Sequence, residues 1–186
     1  MNVLEATLGG LARRLDATAT PYMVIGGFAN LQWGRPRLTQ DLDVTVRADD
    51  AHLARLIAAL QPEFMPRIAE PVGFARQTGV VPIESATGVC VDLIVASLSL
   101  EFEAIARAVT LTIGGTPVRF ATAEDLILHK IVSERSRDHE DVAGIVRRQA
   151  GALDLEYLRP RISELARALQ RPDMLKEFEQ LVRPMS

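Results

Sequence analysis

Cysteine is almost absent. Cys90 is the only one among 186 residues, which excludes an internal disulfide and a cysteine-rich zinc site. Lysine is nearly as rare, with Lys130 and Lys176 the only two among 21 basic residues, so the position of each is informative. Aromatic residues make up 5% of the chain. No apolar run reaches the roughly 20 residues that a membrane span needs, because the most apolar stretch, residues 88–100, is interrupted by Asp92. The first residues carry Glu5 and no basic segment followed by an apolar run, so no secretory signal is readable and the cytoplasm is the expected compartment. Internal repeats and low-complexity linkers are missing too. A net charge of −3 and a pI of about 5.7 argue against a general nucleic-acid coat, which needs clustered Lys and Arg. That charge is uneven: residues 1–143 hold 13 basic and 18 acidic side chains, whereas residues 144–186 hold 8 and 6, leaving a mildly cationic C-terminal part.

With 48% apolar and 24% charged residues, the composition is that of a folded globular protein large enough for one real core and a small appendage. The hydrophobic period changes along the chain from helical to mixed and back to helical. Leu4, Leu8, Leu11 and Leu15 recur every three to four residues and predict a first helix, ending in the threonine-rich stretch before Pro21. Residues 22–25 read as a short buried strand stopped by Gly26-Gly27, with a brief helix from Phe28 to Trp33 and a second strand from Asp41 to Arg47. Asp49-Asp50 caps a helix from Ala51 to Leu60. Residues 73–97 look like two or three strands, the best of them Val89 to Val95, and residues 111–120 like a hairpin around Gly114-Gly115. Thr122 with Asp125 starts a helix running to about Arg135. From Asp138 onward the pattern is helical. The expected fold is therefore α/β (α+β), a mixed sheet flanked by helices. Residues 1–136 form the core with its N-terminal helix, and residues 137–186 form a helical C-terminal region packed on it.

Three features carry chemistry. On a strand, Asp41 and Asp43 share one face while Leu42 points to the other, and two such carboxylates can hold Mg²⁺. Acidic residues also sit two apart at 101/103, 138/140 and 177/179, so the pair by itself singles out nothing. Gly26-Gly27 lies between an apolar strand and a helix start, where missing Cβ atoms let a phosphate approach backbone N–H groups; a plain tight turn explains it equally well. Asp92 interrupts Val-Cys-Val-Asp-Leu-Ile-Val, where an unpaired buried carboxylate would be costly. It either faces solvent by alternation or meets a cation. His52, His129 and His139 show no metal-ligand spacing with Cys90 and read as helix-surface residues.

A glycine turn, an Asp-x-Asp strand after thirteen intervening residues, and a later strand Asp together resemble the nucleotidyltransferase superfamily with the DNA polymerase β-like fold. The string Arg37-Leu38-Thr39-Gln40-Asp41-Leu42-Asp43 is similar to the Arg-x-Ser/Thr-x-Asp-Leu-Asp form of AbiEii-like nucleotidyltransferases, which are toxins of toxin-antitoxin and phage-defence systems. Downstream, Lys130 followed by Arg137-Asp138-His139-Glu140-Asp141 resembles their helix lysine and Arg-Asp-x-x-Asp segment. Lys130 shares a helical stripe with Leu126, Ile127 and Ile131, so its charge projects from the core-facing side. An ordinary snorkelling lysine gives the same pattern. Asp138 and Asp141 also fit a helix N-cap and the third-position acid that follows it. The resemblance covers residues 20–142 and departs at the turn, where many relatives have Gly-Ser and this chain has Gly27.

The resemblance implies Mg²⁺-dependent transfer of a nucleoside monophosphate from an NTP to an acceptor hydroxyl, with release of pyrophosphate. Asp41, Asp43 and Asp92 would be the catalytic and metal-binding residues for two Mg²⁺ ions, with Mn²⁺ as a substitute. Gly26, Gly27, Arg37, Thr39, Lys130, Asp138 and Asp141 would bind the nucleotide. The implied partners are an NTP, an acceptor that is RNA, protein or a small molecule, and a cognate toxin or antitoxin protein, with no membrane. A nucleotidyltransferase-fold module without turnover, binding nucleotide or a partner protein, is the alternative, and antibiotic nucleotidylation shares the same core.

Overall fold

Strands form where β-branched and aromatic residues gather between turn residues, and helices where the apolar period is three to four. The computed structural model describes residues 2–183. Its elements follow in the order α1 (Val3–Ala17), β1 (Tyr22–Ile25), α2 (Gly26–Trp33), β2 (Leu42–Val46), α3 (Asp50–Leu60), β3 (Phe64–Pro66), α4 (Pro71–Thr78), β4 (Val80–Ser85), β5 (Cys90–Val95), α5 (Ser99–Arg107), β6 (Val109–Ile113), β7 (Thr116–Phe120), α6 (Ala123–Ile131), α7 (Ser136–Arg148), α8 (Leu155–Ala168) and α9 (Met174–Val182). The strands make one mixed sheet in the order β3-β4-β5-β2-β1-β7-β6. At its centre β2 runs antiparallel to β1 and parallel to β5, while β1 runs parallel to β7.

The chain folds into two units, each with its own core. The first takes the chain up to Ala29 and again Leu38–Ala121; the second takes Asn30–Arg37 and the chain from Thr122 on. In the first, Leu8, Leu11 and Leu15 of α1, Leu53, Leu56 and Leu60 of α3, and Leu42, Val44, Val91 and Leu93 of the sheet are essentially solvent-free. Each contributes about 1.5–3 kcal/mol by leaving water. In the second, Leu126, Ile127, Ile145, Leu158, Ile162 and Phe178 from four helices make the core. The expected cut after residue 136 differs from this division, because α6 packs its apolar face on α7 and α8.

Local chemistry fixes the ends of the elements. Asn2 and Glu5 form a reciprocal capping box on α1, and the Asp49 side chain accepts the His52 N–H at the start of α3. Two helices depart from the sequence reading. Residues 73–78, expected within a strand region, belong to α4, with Pro71 in the first turn and Gly79 at φ +75° closing the C-terminus. The short α5, not anticipated, is held at its start by the Glu101 carboxylate accepting the N–H groups of Ser97 and Leu98. Helix α6 ends at Ile131 rather than near Arg135. Ser133 there accepts the Arg135 N–H instead of continuing the helix, and α7 begins with Arg135 as N-cap. Asp138 is therefore a first-turn residue of α7 and not its N-cap.

Candidate active site

Strand alternation puts the acids on the sheet. In β2, Leu42 and Val44 are buried and Asp43 between them turns the other way; in β5, Val91 and Leu93 are buried and Asp92 turns outward. The parallel register pairs Asp43 directly with Asp92, and Leu42 and Val44 with Val91 and Leu93. The two carboxylates thus share one sheet face on adjacent strands. Asp41 precedes β2 by one residue, and its charge also acts on Asp92. Burial first, and then that neighbouring negative charge, raise the Asp92 pKa above the ordinary carboxylate value, while Arg67 opposes the rise.

The glycine turn adjoins the same place. Ile25 at the end of β1 pairs with Asp43, and Gly26 follows at φ +65°, opening α2. A Cβ built on Gly26 would overlap the Asp43 carboxylate, coming within 2.6 Å of its Cγ. Only glycine permits both the left-handed backbone and the close approach. The Thr39 hydroxyl donates to the Asp41 carbonyl at 3.2 Å, bracing the chain just ahead of the acids.

The second unit holds the other expected residues. Lys130 is 5% exposed, and its Nζ donates to Asp138 Oδ1 at 2.9 Å and to Asp141 Oδ2 at 2.7 Å. Arg37 grips Asp141 bidentately, Nε to Oδ1 and Nη2 to Oδ2, both at 2.9 Å. Ser133 and the Nε of Arg135 each donate to Asp138 Oδ2 at 2.7 Å. Burial alone would raise the pKa of both aspartates. For Asp138 the hydrogen bonds from Lys130 and Ser133 and the charges of Lys130 and Arg135 outweigh it, lowering the value to about 2. For Asp141 the bonds from Arg37 and Lys130 do the same, and its pKa falls below the usual range.

Asp41, Asp43, Asp92 and Gly26 therefore gather in the first unit, and Arg37, Lys130, Asp138 and Asp141 in the second. Ser133, Arg135 and Arg67 are not singled out by the sequence. The first two lie within the Ser-x-Arg run beside Asp138, a legible cluster of donors. Arg67 comes near Asp92 only through sheet pairing, with its N–H bonded to the Pro82 carbonyl and Pro82 opposite Asp92, which no local pattern signals.

Carboxylate oxygens suit a hard divalent cation, and the register partners Asp43 and Asp92 offer them on one sheet face, with the charge of Asp41 acting on Asp92. Among the described residues no three His, Cys, Asp or Glu side chains form a group able to hold a metal ion by themselves. Mg²⁺ matches such an open arrangement, since it is ordinarily bound by one or two carboxylates and completes its shell with water and substrate phosphate oxygens. No helix among the described residues is long and apolar enough to cross a membrane.

Solved structures share this architecture. An antigenic nucleotidyltransferase-like protein from Paracoccidioides brasiliensis is 18% identical, with a TM-score of 0.54 over 95% of this chain and 92% of its own. The antibiotic-resistance factor ANT(2'')-Ia is 18% identical, with a TM-score of 0.58 over 90% of this chain and 95% of its own. Its complex with adenylyl-2''-tobramycin gives a TM-score of 0.55 at the same identity, over 91% of this chain and 98% of its own. No curated protein matches the chain. The likeness establishes a mixed α/β nucleotidyltransferase fold, and because residues 4–183 match the family described as nucleotidyltransferase of unknown function (DUF6036), the chain belongs to that family.

Proposed function

We propose that the chain transfers a nucleoside monophosphate from an NTP to an acceptor hydroxyl, with Asp41, Asp43 and Asp92 holding Mg²⁺. The observation that carries this reading is the Asp43–Asp92 register pair beside the Gly26 backbone. When bound, the divalent ions supply charge neutralisation for the triphosphate and for the attacking oxygen. The chain's own residues do the rest. Gly26 and Gly27 offer backbone N–H groups at the start of α2 to phosphate oxygens. Asp92, on the strand beside Asp43, would complete the metal site and so favour loss of the hydroxyl proton to water as the acceptor oxygen bonds to the α-phosphorus and the bond to pyrophosphate breaks. In the second unit Lys130, Asp138 and Asp141 form a buried polar centre, and their assignment to nucleotide binding rests on the motif resemblance.

The motif Arg37-x-Thr39-x-Asp41-Leu42-Asp43 together with Lys130, Asp138 and Asp141 supports an AbiEii-like subgroup and a role in a toxin-antitoxin or phage-defence system, acting in the cytoplasm where NTP and Mg²⁺ are supplied. The aminoglycoside adduct bound by ANT(2'')-Ia supports nucleotide transfer on this fold and keeps a small-molecule hydroxyl among the acceptors, beside RNA and protein. Gly27, which brings no hydroxyl to the turn, favours a second reading: a module that binds nucleotide or a partner protein without turnover.

Incubation with α-labelled NTPs and Mg²⁺ against tRNA, total protein and small amino-alcohols decides between them. The proposal expects label on one acceptor class with the wild type, and a loss of at least about 100-fold in Asp43→Asn, in line with the cost of removing a preorganised charge from a transition state. Transfer surviving that substitution removes Asp43 from the chemistry, and nucleotide binding without transfer to any acceptor favours the module.

A further inference from the structure

The segment that joins the glycine turn to the Asp-x-Asp strand is held by one helix face. Within the second unit, five residues of the 31–37 segment meet α7 or its C-cap Gln149. Arg148 Nη1 donates to the carbonyls of Leu31 at 3.1 Å and Gly34 at 2.8 Å, and Gln149 Nε2 donates to the Trp33 carbonyl at 3.0 Å. These are carbonyls at the C-terminal end of α2, which no further helical turn satisfies. Gly144 lies flush against Arg35, so that a Cβ there would sit 3.2 Å from the Arg35 backbone N. Asp141 takes the Arg37 guanidinium in the bidentate grip. Asp141, Gly144 and Arg148 fall at i, i+3 and i+7, one stripe of α7. The segment also braces itself, with Asn30 Nδ2 donating to the Arg35 carbonyl at 3.0 Å. Four residues before Asn30 stands Gly26, and four after Arg37 stands Asp41.

We infer that α7 is a positioning clamp for residues 31–37, the stretch of chain between Gly26 and Asp41, and that Arg148, Gly144 and Arg37 are positioning residues for that stretch, Arg37 acting through Asp141 and not by touching phosphate. The inference rests on the proposed transfer reaction for its kinetic consequence. Its structural content is independent of that reaction. A cationic side chain at residue 148 suffices for the carbonyl contacts, whereas only the planar arginine fork makes the Asp141 grip, so lysine replaces Arg148 better than it replaces Arg37.

The test compares Arg148→Met, Arg148→Lys, Arg37→Lys, Asp141→Asn and the Arg37→Lys/Asp141→Asn double variant in three measurements: amide hydrogen exchange over residues 31–41, Mn²⁺ affinity by water-proton relaxation, and NTP turnover. The clamp predicts at least 10-fold faster exchange over that segment in Arg148→Met and at least 10-fold weaker Mn²⁺ binding. It also predicts a kcat loss of similar size with KM for NTP within about 2-fold, and recovery of most of these in Arg148→Lys. The double variant should be no worse than the worse single, since both remove one interaction. Unchanged exchange, or faster exchange with unchanged Mn²⁺ affinity, overturns the inference. So does an Arg37→Lys that raises KM for NTP alone and adds to Asp141→Asn, the signature of a phosphate contact. A wild type that binds Mn²⁺ without turnover defeats the transferase reading while the exchange and Mn²⁺ measurements still decide the clamp.

Discussion

Gly26 shows how a single residue ties backbone conformation to chemistry. Its φ of +65° is one that a side chain resists, and the volume a Cβ would need is filled by the Asp43 carboxylate. Gly26→Ala is therefore expected to lower stability by about 1–3 kcal/mol and to displace Asp43. Denaturant unfolding reads the first effect and Mn²⁺ affinity the second. Asp92 gives the opposite sign. A carboxyl whose folded-state pKa is raised is destabilising when ionised, and the penalty is relieved as pH falls below its folded value. Asp92→Asn should thus raise Tm slightly at pH 7 while abolishing transfer. A lower Tm would mean that Asp92 is stabilised by contacts rather than crowded by charge.

At the scale of elements, α6 and α7 form a pair held by buried charge. Lys130, Asp138 and Asp141 are all buried, so removing the amine takes a shared cation from two carboxylates and leaves Asp141 to Arg37 and Asp138 to Ser133 and Arg135. Lys130→Met should cost about 3–5 kcal/mol, more than a surface pair could. The acid limb follows from Asp138. Its folded pKa of about 2 lies below the 3.8 of an unperturbed aspartate, so it contributes stability above about pH 4 that is lost as pH falls toward 2. At 1.36 kcal/mol per unit this is about 2 kcal/mol. Unfolding followed between pH 5 and 2 should show a smaller loss in Asp138→Asn than in the wild type, the remainder including the share of Asp141, whose pKa is also lowered.

Most of these elements can be read from the chain. The leucine period of α1, the caps at Asp49 and Thr122, and the strand at residues 22–25 are local signals, and local signals survive in a sequence. Helix α4 is hidden because Val72 and Phe74 look strand-like, and its identity rests on Pro71 and the left-handed Gly79 at its two ends. The stripe that puts Lys130 among apolar residues predicts its burial. Nothing in the stripe announces Arg37 as the partner of Asp141, 104 residues away.

For the whole molecule, the decisive fact is also long-range. Two acids 49 residues apart become neighbours because β2 and β5 pair in parallel with the apolar residues of each strand in step, and a slip of one residue would turn Asp92 to the other face. The sequence offers each acid separately and, through resemblance, their combination; the register is a property of the sheet. The family and fold follow from the match over residues 4–183 and the solved neighbours, while the acceptor is written in no single element.

The central claim is that these acids and the glycine turn together bind a metal–nucleotide complex. Isothermal titration of a non-hydrolysable NTP analogue into the wild type and Asp43→Asn, each with and without Mg²⁺, tests it most directly. Binding by the wild type only when Mg²⁺ is present, and at least 10-fold weaker binding by Asp43→Asn, is the expected result. Equal affinity with and without the ion, unchanged in the variant, would contradict it.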